Sequence, residues 1–184
     1  MTELSLNVLD IVQNSIQAGA SFIQVTINAV STSDCLTISI EDNGCGLTKE
    51  QLKCIDDPFY TTRTTRRIGL GIPFFKHAAQ NCGGSFQITS CVGKGTTVIA
   101  SFGLSHIDRM PLGDITATMH TLITLNPDLD FLYTYILDNR QFSLDTREFR
   151  KILGDVTFSD PEVSKYIREY LFEGKQDVDS GRIL

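Results

Sequence analysis

The sequence predicts an α/β (α+β) two-layer sandwich, with helices on one face of a mixed, mostly antiparallel sheet and a small α+β region at the C-terminal end. Three observations predict it. Residues 4–18 carry apolar side chains at helical spacing. Residues 23–27 and 36–40 alternate apolar and polar side chains with a period of two, and 85–90 with 96–102 read as a second strand pair. Between the pairs stand a short capped helix, a glycine-bearing stretch and a further helix. That order suits one sheet covered on one side.

In the first helix Leu4, Val8, Ile11, Val12 and Ile16 share a face, while Asp10, Asn14 and Gln17 cluster on the other. Gly19 closes it, where a left-handed residue is favoured. Asp10 and Asn14, four residues apart, lie side by side on the helix surface. Such a pair is either an ordinary solvated face or a general base beside a metal ligand, since a carboxamide oxygen suits magnesium. Ile23, Val25 and Ile27 form the first strand, Leu36, Ile38 and Ile40 the second, with 31–34 as the turn. The second strand runs into Glu41-Asp42-Asn43-Gly44-Cys45-Gly46-Leu47. A short acid at a strand end, followed by two alternating glycines, can accept a hydrogen bond from an exocyclic amine while the chain bends under a flat ring. The same composition also suits a plain turn. Thr48, with Gln51 three residues on, marks a capping box opening a short helix over 48–55.

Gly69-Leu70-Gly71 precedes a helix over 72–81 that ends at Gly83-Gly84. Glycines let a backbone approach phosphate oxygens with no Cβ in the way. The helix start behind them offers free N–H groups and a positive dipole end to an anion. Alone, the Gly-Leu-Gly spacing is a weak signal, which a plain loop-to-helix turn explains more simply.

Composition narrows the classes. The chain of 184 residues has 41% hydrophobic residues, ordinary for a soluble globular protein, and no apolar run of membrane-spanning length. No signal peptide is apparent at the N-terminus. A net charge of −6 argues against broad nucleic-acid binding, although Arg63, Arg66 and Arg67 form a local basic patch. Five cysteines, odd in number and without a CxxC pair, argue against a zinc or iron–sulfur site and against a disulfide framework. Reduced thiols in the cytoplasm are expected.

Residues 1–103 resemble the ATP-binding domain of the GHKL (Bergerat-fold) superfamily, shared by sensor histidine kinases, type II topoisomerase ATPases, mismatch-repair ATPases and the ninety-kilodalton heat-shock chaperones. The nearest likeness is to the histidine kinases. Asp10-x-x-x-Asn14 matches their N box and Asp42-x-Gly44-x-Gly46 their first glycine box. Pro58-Phe59-Tyr60-Thr61-Thr62-Arg63 looks like the F box, Gly69-Leu70-Gly71 the second glycine box, and Gly93-Lys94-Gly95-Thr96-Thr97 the last. The resemblance implies ATP and Mg2+ as cofactors. It implies that Asp42 accepts a bond from the adenine amino group, supported by Thr96 or Thr97. Asn14 would hold the magnesium ion that offsets phosphate charge. Gly69, Leu70 and Gly71 would present amides to the phosphates, and Phe59, Thr61, Thr62 and Arg63 would complete the nucleotide site, with Arg63 clamping a terminal phosphate. Asp10 would orient or deprotonate the attacking group.

Two positions depart from the pattern. The kinases usually carry Glu at the place of Asp10, and one methylene less shortens its reach. They usually carry Gly-Thr where this chain has Arg67-Ile68, and the lid over 61–68 is short, so an open nucleotide site is expected. The long hairpin that bears the phosphoacceptor histidine in a sensor kinase is not visible ahead of the N box.

The 81 residues from 104 to 184 carry 14 acidic and 9 basic side chains, hence −5 of the net charge. A helix over 112–125, a hairpin of 131–137 with 141–144, a helix over 146–153 and a last helix from 161 to 173, with Asp160 as N-cap, are expected there, with a loose tail from 175. This region is expected to act as a protein-interaction surface, with homodimerisation open. His106-Ile107-Asp108-Arg109-Met110-Pro111-Leu112 resembles a phosphoacceptor box but has Ile107 where an acid is usual; a linker histidine explains it as well. Two functional readings stand: a kinase or slow ATPase, and a nucleotide-gated binding regulator like the anti-sigma factors of this fold.

Overall fold

The computed structural model describes residues 3–55, 71–154 and 156–181. Helix α1 (Leu4–Gln17) forms where the apolar stripe predicts it and buries Leu4, Val8, Ile11 and Val12. Glu3 at its N-cap makes no side-chain cap bond. The first amides instead donate to the 110–112 segment: Leu4 N to Pro111 O at 3.0 Å and Ser5 N to Leu112 O at 2.9 Å.

Strands β1 (Phe22–Val30) and β2 (Cys35–Asp42) follow, then the short helix α2 (Lys49–Lys53), where both reciprocal bonds of the Thr48/Gln51 capping box are present. Helix α3 (Gly71–Asn81) leads to β3 (Phe86–Cys91) and β4 (Gly95–Gly103). The C-terminal part adds α4 (Ile115–Leu125), β5 (Asp130–Leu137), β6 (Arg140–Asp145), α5 (Thr146–Leu153) and α6 (Pro161–Asp179).

One six-stranded sheet, ordered β3-β4-β2-β1-β5-β6, runs through the molecule. Its pairs are antiparallel except β1 with β5, which run parallel with Phe22 opposite Asp130 and Ala29 opposite Leu137. Alternate residues of the central strands, such as Val25, Ile38, Ala100 and Tyr133, are fully buried under the helices. The other face carries half-buried polar side chains including Thr26, Ser39 and Thr134. The mixed sheet with one covered face is the predicted sandwich. The sheet continues across residue 103, because β5 completes hydrogen bonding along the free side of β1.

Two helix bounds differ from expectation by three residues or more. Helix α4 starts at Ile115 rather than 112, since Gly113 takes φ +76° and the Asp114 side chain caps the Ala117 amide at 2.9 Å. Helix α6 runs to Asp179 instead of ending at 173. Gly174 does not break it; it lets the helix pass the Phe142 ring, which lies 2.2 Å from where a Cβ would stand. The stretch expected to be loose is held by burial of Val178 and Asp179, with the Tyr135 hydroxyl donating to Asp179 Oδ1 at 2.6 Å and Lys175 paired to the same carboxylate. None of the described helices is long and apolar enough to cross a membrane.

Candidate functional site

The end of β2 places Asp42 at a junction of three elements. Asp42 is 8% exposed, and its carboxylate takes three hydrogen bonds from the described residues. Oδ1 accepts from Gly44 N at 2.9 Å and from Thr96 N at 3.3 Å; Oδ2 accepts from the Ser15 hydroxyl at 2.6 Å. A carboxylate offers about four lone-pair positions. Among the described residues, Ser15, Gly44 and Thr96 fill three of them.

The loop after Asp42 is clamped on both sides. Asn43 Oδ1 accepts from Ser21 N and Phe22 N at 2.9 and 3.0 Å, and Cys45 N donates to Ala18 O at 2.9 Å. On the other side Gly93 N donates to Cys45 O at 2.8 Å. Gly46 has φ +68°, and a Cβ there would stand 2.1 Å from Cys91 O. Gly95 has φ +112°, with a Cβ only 1.8 Å from Asp42 O. Both positions exclude a side chain for reasons of conformation and space together. Gly44 packs against Ala18, whose Cβ would be 2.9 Å from an added one.

On α1, Asp10 and Asn14 are half-buried on one face. Gly71, the first residue of α3, lies against Asp10: an added Cβ would be 3.1 Å from Asp10 Cβ and 3.4 Å from Oδ2. The start of α3 is thereby set beside the Asp10 carboxylate, the sign of charge its dipole favours. The Asp10 and Asn14 oxygens are hard donors one helical turn apart, a set that fits magnesium rather than a softer metal.

The structure thus brings together Asp42, Gly44, Gly46 and Thr96 at one end, and Asp10, Asn14 and Gly71 along α1. Thr97 stands on the opposite face of β4 from Thr96, opposite Glu41 and Thr89 in the sheet. Phe59, Thr61, Thr62, Arg63, Gly69 and Leu70 lie outside the described residues. His106 is exposed beside Gly103, the partner of Cys35 at the far end of β2 from Asp42. Seven strand residues at ~3.4 Å each put roughly 24 Å between the two ends. His77 shares a contact with Asn81, and His120 bridges α4 to Ser164 of α6.

Two hydroxyls that bond into this cluster, those of Ser15 and Ser90, lie outside any of the motifs above. Ser15 falls on the apolar stripe of α1 after Val8, Ile11 and Val12, and is 4% exposed. A serine at a core-facing position needs a partner, which is the feature that could have found it. Ser90 similarly follows Phe86 and Ile88 on the helix-facing side of β3.

Residues 2–106 match the family "Histidine kinase-, DNA gyrase B-, and HSP90-like ATPase". The chain belongs to this family. Among curated relatives it is 35% identical over 88 residues to sporulation kinase C of Bacillus subtilis, covering 48% of this chain and 20% of that protein. It is 32% identical over 89 residues to the sensor histidine kinase ZraS of Escherichia coli (48% and 19%), and 35% identical over 108 residues to the sensor protein kinase FleS of Pseudomonas aeruginosa (59% and 26%). The matched segment therefore spans between 19% and 26% of the length of these relatives. Among solved structures, the Aquifex aeolicus MutL ATPase domain complexed with ADP superposes with a TM-score of 0.53 at 14% identity, covering 94% of this chain and 70% of that one. The N-terminal domain of a DNA repair protein gives 0.52 at 18%, covering 79% and 52%. At those identities the likeness is one of fold.

Proposed function

We propose that the chain binds Mg-ATP and serves as the ATP-handling part of a soluble, cytoplasmic bacterial signalling kinase or ATPase. The observation that carries this reading is the Asp42 carboxylate: three of its lone-pair positions are filled by Ser15, Gly44 and Thr96, and the remaining one is suited to the exocyclic amine of adenine. Asn14 would hold magnesium, with Asp10 beside it; the ion would offset phosphate charge. Gly69, Leu70, Gly71, Phe59, Thr61, Thr62 and Arg63 would contact the nucleotide as the family resemblance implies. Residues 104–184 would provide the surface for a protein partner.

A second reading, a nucleotide-gated regulator with slow turnover, is favoured by Asp10 itself, which is one methylene shorter than the usual glutamate. The deciding experiment follows γ-labelled ATP with magnesium through phosphate release and protein labelling, on wild type, Asn14→Ala and Asp10→Asn. Turnover or stable label lost in both variants supports the enzyme. Tight binding lost only in Asn14→Ala, without turnover, supports the regulator. No ATP binding by the wild type overturns both.

A further inference from the structure

Asp42, Thr96 and Ser90 stand in one row across three neighbouring strands. Asp42 is opposite Thr96 between β2 and β4, and Thr96 is opposite Ser90 between β4 and β3. All three side chains continue the helix-facing sets of their strands, after Ile40, before Val98 and after Ile88.

The protons in this row can be counted. Among the described residues Ser90 Oγ has three partners: Leu47 N at 2.8 Å, Gly95 O at 2.9 Å and Thr96 Oγ1 at 2.9 Å. A serine hydroxyl has one proton and two lone pairs. The Leu47 amide donates into one lone pair. The Gly95 carbonyl can only accept, so it takes the proton. The contact with Thr96 is then a bond from the Thr96 hydroxyl into the second lone pair of Ser90. The reverse assignment forfeits the bond to Gly95. The Thr96 backbone N–H is already directed at Asp42 Oδ1. Both protons that Thr96 owns are therefore held by the protein, and its hydroxyl oxygen has only lone pairs left to offer. Asp42 beside it is likewise an acceptor.

We propose that Ser90 is a positioning residue for base specificity: it holds the Thr96 hydroxyl proton, leaving Asp42 and Thr96 as a purely accepting edge. That edge selects a purine with an exocyclic amine and rejects one with a carbonyl at the same carbon. The inference rests on the reading that this pocket takes a purine nucleotide. It assigns the selectivity to a serine that acts through Thr96.

The test compares binding of ATP with that of inosine triphosphate, which carries a carbonyl in place of the 6-amino group, by calorimetry on the full chain with magnesium. Wild type should favour ATP. In Ser90→Ala the Thr96 hydroxyl is free to turn its proton into the pocket and serve the inosine carbonyl. The ATP-to-ITP preference should then fall roughly 3- to 10-fold, the worth of one neutral hydrogen bond. Ser90→Thr should restore the preference, and Ser90→Ala in a Thr96→Val background should leave it where Thr96→Val alone puts it. A variant that weakens both nucleotides by the same factor overturns the proposal, because a merely structural role moves the two together. A wild type that binds both equally overturns it while sparing nucleotide binding, and one that binds neither removes the nucleotide reading itself. Should Ser90→Ala fail to fold, Ser90→Cys, similar in shape but a poor hydrogen-bonding group, takes its place with the same expected fall.

Discussion

Ser15 Oγ lies 2.6 Å from Asp42 Oδ2, joining the last turn of α1 to the end of β2 inside the core. The bond orients the carboxylate. Ser15→Ala removes a hydrogen bond to a charged, buried group, which should cost about 1.5–3 kcal/mol of stability. Denaturant unfolding would measure it, and an unchanged midpoint would refute the role given to Ser15.

Gly46 and Gly93 form a matched pair for a test of sterics. Both have positive φ, but a Cβ at Gly46 meets the Cys91 carbonyl at 2.1 Å, whereas at Gly93 nothing lies within 4 Å. Gly93→Ala should cost only the left-handed penalty, about 1–2 kcal/mol. Gly46→Ala should cost clearly more, because backbone must move as well. Equal losses in melting experiments would contradict the close packing of the 43–46 loop on the β3–β4 turn.

Asp179 ties the end of α6 to the sheet through Tyr135, with Lys175 of the same helix paired to its carboxylate. Asp179→Ala should destabilise the whole fold by about 2–3 kcal/mol, the cost of removing a charged acceptor from a buried donor. A double-mutant cycle with Tyr135→Phe should return a favourable coupling. Strict additivity would show that the pair does not interact in solution.

The alkaline limit of stability should come from two phenols. Burial, and for Tyr133 the Asp179 charge next, holds the Tyr133 hydroxyl far above the usual tyrosine range; burial and then the bond to Asp179 do the same for Tyr135. A folded pKa raised above the unfolded one gives stability that is present below the unfolded value, near 10, and is lost as pH rises beyond it. The unfolding midpoint should therefore drop above about pH 10, and less so in Tyr135→Phe.

On the acid side Asp114 has the opposite sign. Its carboxyl is held below the ordinary 3.8, first by the Ala117 amide it caps. Its contribution is present above 3.8 and disappears as pH falls below it. Asp114→Asn, which still caps but does not titrate, should flatten that part of the acid unfolding profile; an unchanged profile would exclude Asp114 as a contributor.

The elements of residues 4–103 were legible because each carries a strong local pattern: the apolar stripe of α1, the alternation in β1 and β2, the Thr48/Gln51 box. The acid and glycines of the 42–46 loop were legible as a tight, polar loop at a strand end for the same reason. What escaped was long-range. Nothing local in residues 130–137 announces that they pair with β1, a hundred residues earlier, and in parallel. Gly174 and the acids at 177 and 179 read as a fraying tail, since the Phe142 ring and the Tyr135 hydroxyl that hold them come from another strand. The meaning of Ser15 and Ser90 lies in their partners, which sit 27 residues away and across a hairpin, respectively.

The parallel pairing of β1 with β5 has a consequence for how such a chain is made. Until residue 137 has been synthesised, one side of β1 from Phe22 to Ala29 shows bare amides and carbonyls along a run whose alternate side chains are apolar. Such an edge readily accepts a strand from another molecule. A fragment cut after β4 should thus express as aggregates, and a nascent chain should depend on shielding until its own second half arrives to close the seam.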